Sequence, residues 1–123
     1  MSKFGASTVK ERKQQVASVD SELLDIIDKI LSTLGSDSKQ TIYWYLEQKY
    51  ELRRENIPSR LQSFSEAMLQ IFGIPASKLL ETRIIEMVGR KYPEFTYVPK
   101  KESPNLAEFV SSLKADLESK PKT

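Results

Sequence analysis

Apolar positions recur at helical spacing several times along this chain, and the recurrences predict its elements. Leu23, Ile27, Ile30 and Leu34 fall on one line, flanked by Leu24, Ile26 and Leu31. They predict a helix over 21–34, with Asp20 as N-cap and Gly35 as the stop. Glu22 sits near that expected N-terminus, where a carboxylate suits the helix dipole, and Asp25 and Asp28 point away. A second helix is expected to start after Ser36-Asp37-Ser38 and to run to about Tyr50. Ile42, Tyr45, Leu46 and Tyr50 share one of its sides, and Trp44 takes the opposite one. A helix apolar on two sides is usually held between neighbours, so this spacing predicts a buried Trp44 and a central second helix.

Residues 51–62 break the period. Pro58 disfavours helix at Ile57, and Leu52, Ile57 and Leu61 are expected to tuck inward while Arg53, Arg54 and Arg60 face water. A third helix is expected from Ser63, whose spacing to Glu66 matches a capping box. Its core stripe is Phe64, Met68, Ile71 and Phe72, and Gly73 closes it. Pro75 suits the first turn of a fourth helix, about 76–91, with Leu80, Ile84, Met87 and Val88 inward and Arg83, Glu86 and Arg90 outward. Residues 93–105 hold Pro93, Pro99 and Pro104, so an extended connector is expected there, with Phe95, Tyr97 and Val98 pinning it to the core. Ser103-Pro104 then opens a last helix, over 106–118, whose Leu106, Val110, Leu113 and Leu117 make one narrow apolar line joined by Phe109.

The fold class expected is therefore all-α: a compact bundle of four short helices plus a C-terminal amphipathic helix after a Pro-rich connector. Residues 1–19 are polar and basic and read as a flexible arm, 20–92 as the helical core, and 119–123 as a disordered tail. At 123 residues the chain is one domain with a modest core.

Composition narrows the chemistry. The 19 Lys+Arg against 17 Asp+Glu leave +2, too little by itself to imply a nucleic-acid or membrane partner. There is no Cys and no His, which removes the commonest nucleophile, the commonest general base and nearly every zinc site. With four Gly there is no loop to cradle a phosphate. Carboxylate pairs such as Asp25/Asp28 and Glu81/Glu86 lie on expected helix surfaces and read as solvated. No catalytic residue, cofactor or metal ligand is expected, and the chain reads as a cytoplasmic protein that is not an enzyme.

Several pieces taken together resemble a known family: Leu34-Gly35, the run Thr41-Ile-Tyr-Trp-Tyr-Leu-Glu, Arg54-Glu-Asn-Ile-Pro58, and Phe64 through Gly73. They look like the Nitrosopumilus-type output domains, small all-helical domains found at the ends of archaeal signalling proteins and as stand-alone chains. The likeness covers about residues 20–92. It implies a cytoplasmic archaeal protein with a non-catalytic output role, and it transfers no catalytic residue. Glu51 departs from it, because relatives tend to carry glycine after the aromatic helix.

Two functions follow as expectations. In the first, the chain is an interaction module that binds a protein partner or itself by helix packing. The candidate partner-binding residues are Leu106, Phe109, Val110, Leu113 and Leu117, although a stripe of this kind can equally fold back on its own domain. In the second, the chain binds nucleic acid through Lys3, Lys10, Arg12 and Lys13 of the arm, with Arg53 and Arg54.

Overall fold

A computed structural model describes the backbone of residues 3–101 and 104–119, with side chains from residue 16 onward. The described residues form helical segments and no strand, an all-α fold. In order they are α1 (Lys3–Ser32), α2 (Ser36–Tyr50), a 3₁₀ helix (Arg54–Ser59), α3 (Leu61–Gly89) and α4 (Leu106–Ser119). None of the described helices is long and apolar enough to cross a membrane.

The organising element is α1, which packs against α2, α3, α4 and the 3₁₀ helix. Its backbone is helical from Lys3, through the region read as an arm. The reason lies in the composition: Lys, Glu, Arg, Gln and Ala favour helix, and no proline interrupts residues 3–32. The apolar line also begins earlier than Leu23, because half-buried Val16 and fully buried Val19 lead into it. Asp20 is consequently not an N-cap. It sits within the helix and meets Lys114 of α4 at 2.5 Å. Glu22 is likewise far from the helix start and accepts a hydrogen bond from the Tyr92 hydroxyl.

The second helix is peripheral, which corrects the expectation of a hub. Only Ile42 and Leu46 of α2 are buried, and Trp44 is 62% exposed. The tyrosines explain this. Their hydroxyls need partners, so Tyr43 and Tyr50 settle half-buried at the margin of the core. The helix ends on Glu51 in the left-handed conformation (φ 51°), where an L side chain is strained and glycine is not. Its last carbonyls are nonetheless satisfied. Glu51 N–H donates to Glu47 O at 3.1 Å, and Arg60 donates to the carbonyls of Glu51 (2.9 Å) and Tyr50 (3.1 Å).

Leu52, Ile57 and Leu61 do tuck into the core around buried Pro58. Ser63 does not cap a helix, because α3 has already begun at Leu61. Inside α3 the backbone is not helical at Gly73 (φ 81°, ψ 173°), so α3 consists of two arms set at a bend. Gly73 tolerates the positive φ, and Pro75 enters the second arm where its missing N–H costs nothing. Phe64, Ala67 and Met68 of the first arm and Ile84, Ile85 and Val88 of the second fill the core.

The stripe of α4 folds back. Leu106, Phe109, Val110, Leu113 and Leu117 are all buried against α1 and α3. A domain this small gains stability from every apolar face it can cover, at about 25 cal/mol per Å². The cap is Asn105, whose side chain accepts from Glu108 N–H at 2.9 Å, while Ser103 lies outside the described residues. Leu106 N–H, a second orphan donor at this helix start, is taken by the Glu81 carboxylate at 3.1 Å. Phe95 and Tyr97 of the connector meet Phe109 edge-on, with centroids 5.9 and 5.2 Å away. Val98, the third expected pin, is exposed instead.

Candidate functional site

Two places on this fold gather chemistry: a polar knot on the α1–α2 side, and an apolar groove at the end of the bundle where α1 stops.

In the knot, Asp28 of α1 accepts from the Tyr43 hydroxyl of α2 and from Arg54 of the 3₁₀ helix. The guanidinium reaches Asp28 Oδ1 and Oδ2 through Nε at 3.1 Å each, and Oδ2 through Nη2 at 2.5 Å. Burial pushes the Asp28 carboxyl up, but the hydrogen bonds from Arg54 and Tyr43 and the nearby positive charge outweigh it, holding the group below its ordinary value. The same contact pushes the Tyr43 hydroxyl up, through burial first and then through the bond to Asp28. Each carboxylate oxygen of Asp28 already accepts from the chain itself. Its work is to join three elements. Asp28 therefore does not point away as the spacing suggested.

The groove follows from three chain features. The helix expected to reach residue 34 stops at Ser32, so Ile30 near its end is half-buried and Leu34, expected inside, lies in the turn and is 47% exposed. The turn then closes tightly, with Leu34 N–H to Leu31 O and Gly35 N–H to Ser32 O both at 3.0 Å. Opposite it, the bend at Gly73 turns the second arm of α3 so that Ile74 and Leu79 face outward, at 61% and 66% exposure. Between these elements lies a concavity of about 250 Å³ whose walls include Ile30, Leu34, Phe72, Leu79, Leu80 and Arg83. A second hollow of about 480 Å³ adjoins it across the shared Leu34 and Phe72, and Asp37, Ser38, Thr41 and Ile42 of α2 complete its wall. Asp37, Thr41 and Trp44 succeed one another at spacings of four and three, so exposed Trp44 continues this rim of α2.

Most of the residues expected to be functional lie elsewhere. The five of α4 are in the core, unavailable to a partner's groove. Arg54 is turned onto Asp28, and Arg53 pairs with Glu47 at 3.6 Å. The side chains of Lys3, Lys10, Arg12 and Lys13 lie outside the described residues. Sequence reasoning missed Leu79 and Ile74. Their signal was present in Leu79-Leu80 and in Ile71-Phe72-Gly73-Ile74, where neighbouring apolar side chains cannot all face one core.

Compared with protein-family models, with curated proteins and with solved structures, the chain finds no match.

Proposed function

We propose that this protein is a non-catalytic helical interaction module that binds a protein partner, or itself, through the groove between α1, α2 and α3. The observation that carries this reading is the uncovered apolar surface around Leu34, Phe72 and Leu79, over which no described part of the chain lies. Scattered exposed apolar residues are ordinary, but a concave run of them with charged residues at its rim is what a packing partner recognises. The likeness of Thr41–Glu47, Arg54–Pro58 and Phe64–Gly73 to Nitrosopumilus-type output domains supports an output role in an archaeal, cytoplasmic signalling setting. The docking element is thus the groove, and α4 serves as its scaffold.

The test uses the tagged full chain and its Leu79→Glu variant as paired baits, each with nuclease present. Nuclease-resistant partners held by the first and lost by the second are expected. The variant's melting temperature should stay unchanged, because Leu79 is exposed. Partners retained equally by both chains would overturn the groove, and partners lost to nuclease in both would favour the nucleic-acid reading.

A further inference from the structure

The two hollows share Leu34 and Phe72, so they form one trough, walled by α3 at the first hollow and by α2 at the second. Both of these walls are rows of helical side chains. On the second arm of α3, Ala76 and Leu80 stand four residues apart, as do Leu79 and Arg83, and the row covers about 10 Å of helix. On α2, Asp37 and Thr41 repeat that step, and so do Ser38 and Ile42. Rows of this spacing are the ridges against which a further helix packs. Along Leu79–Arg83 and Thr41–Ile42 the backbone N–H and C=O groups are bonded within α3 and α2. An extended segment laid there would leave its own backbone groups against apolar side chains with nothing to bond. A helix arrives with its backbone already satisfied.

The trough is also polarised. Among the described residues, Arg83 is the one charged side chain lining the first hollow and Asp37 the one lining the second. Neither has an ion-pair or hydrogen-bond partner among the described side chains. From these features we infer that the occupant of the groove is an amphipathic helix of a partner protein. Its apolar stripe covers Leu34, Phe72 and Leu79. It carries an acidic residue where it crosses the first hollow, facing Arg83, and a basic residue where it crosses the second, facing Asp37. The inference rests on the groove being the docking surface, and it adds the conformation and the charge pattern of what docks.

Isothermal titration calorimetry on the full chain with three synthetic helical peptides tests it. All three carry leucines at the i, i+3, i+4 and i+7 positions of one face, and they differ only in the charges flanking that stripe. The peptide with glutamate at one end and lysine at the other should bind about tenfold tighter than those with two lysines or two glutamates. Arg83→Glu should move the preference to the peptide with two lysines, and Asp37→Lys to the peptide with two glutamates. Leu79→Glu should abolish binding of all three. A proline placed in the middle of the best peptide should abolish its binding too, because it breaks a helix and spares an extended segment. Failure of every peptide to bind, equal binding whatever the flanking charge, or indifference to the proline would each overturn the helix. A chain that dimerises by itself and loses the dimer on Leu79→Glu would overturn it as well, putting a second copy in the groove. If the baits still lose their partners on Leu79→Glu, such results sink the helix alone, whereas baits indifferent to that change would sink the groove itself.

Discussion

The helices α2 and α4 are nearly equal in length, 15 and 14 residues, yet they occupy opposite positions in the economy of this fold. The first holds the only tryptophan and three of the five tyrosines, and it lies at the edge. The second holds one aromatic residue among aliphatic ones, and five of its residues are buried. What separates them is arrangement. In α4 the apolar groups form one stripe, so a single contact covers all of them and leaves the polar face in water. In α2 they are spread around the helix, and no single neighbour can cover them. Its tyrosines also bring hydroxyls that must find acceptors, so Tyr43 is held by Asp28 at the margin. Apolar content alone misleads. Periodic apolar content decides burial.

That contrast can be broken by experiment. Leu113 and Phe109 of α4 are enclosed, so Leu113→Ala or Phe109→Ala should cost about 3–5 kcal/mol of stability in urea denaturation. A loss below about 1 kcal/mol would mean that the stripe is not in the core. The polar knot should come next. Asp28→Ala strands Arg54 and the Tyr43 hydroxyl, and should cost about 1–3 kcal/mol. If that loss is absent, α2 is not tied to α1 in the way the hydrogen bonds imply.

The knot should also appear in the pH dependence. Because the Asp28 carboxyl is held below its ordinary value of 3.8, its contribution is complete above that pH and is lost as pH falls below it. Tyr43 and Tyr92 behave in the opposite sense. Their hydroxyls are raised above the ordinary 10.0 by burial and by their carboxylate partners, so their contribution holds below pH 10 and is lost as pH rises further. Asp28→Asn should flatten the acid limb of a stability profile and leave the contribution of Tyr92 in place.

Smaller effects sharpen the contrast from the side of α2. Glu51→Gly relieves the left-handed strain and should stabilise the chain by about 0.5 kcal/mol, net of the added freedom of the unfolded state. Destabilisation by that change would show that the Glu51 side chain does something the backbone angle conceals. Trp44→Ala should shift stability by less than about 0.5 kcal/mol, and the indole emission of the folded chain should be that of an indole in water and open to quencher. A blue-shifted, shielded indole would restore Trp44 to the core.

Much of the architecture was legible in the residue pattern. The stripes of Phe64–Met68 and Ile84–Val88 are where the period places them, Gly73 and Pro75 mark the bend, and the inward turn of Leu52, Ile57 and Leu61 follows from the break at Pro58. The candidate site was far less legible. Leu34 completes a good helical stripe in the sequence, but α1 stops at Ser32 and the turn that follows leaves Leu34 exposed. Nothing local to Arg54 distinguishes it from Arg53, and only the path of the chain brings it within reach of Asp28, 26 positions away.

The amino-acid sequence by itself determined that this chain is helical, roughly where its helices break, and which faces seek cover. Those are short-range properties, set by backbone propensity and by a spacing of three or four residues. The tertiary structure alone decided which cover each face obtains. That outcome depends on which helices become neighbours, and there are fewer neighbours than apolar surfaces. The stripe of α4 is enclosed, while Trp44, Leu34 and Leu79 remain in water.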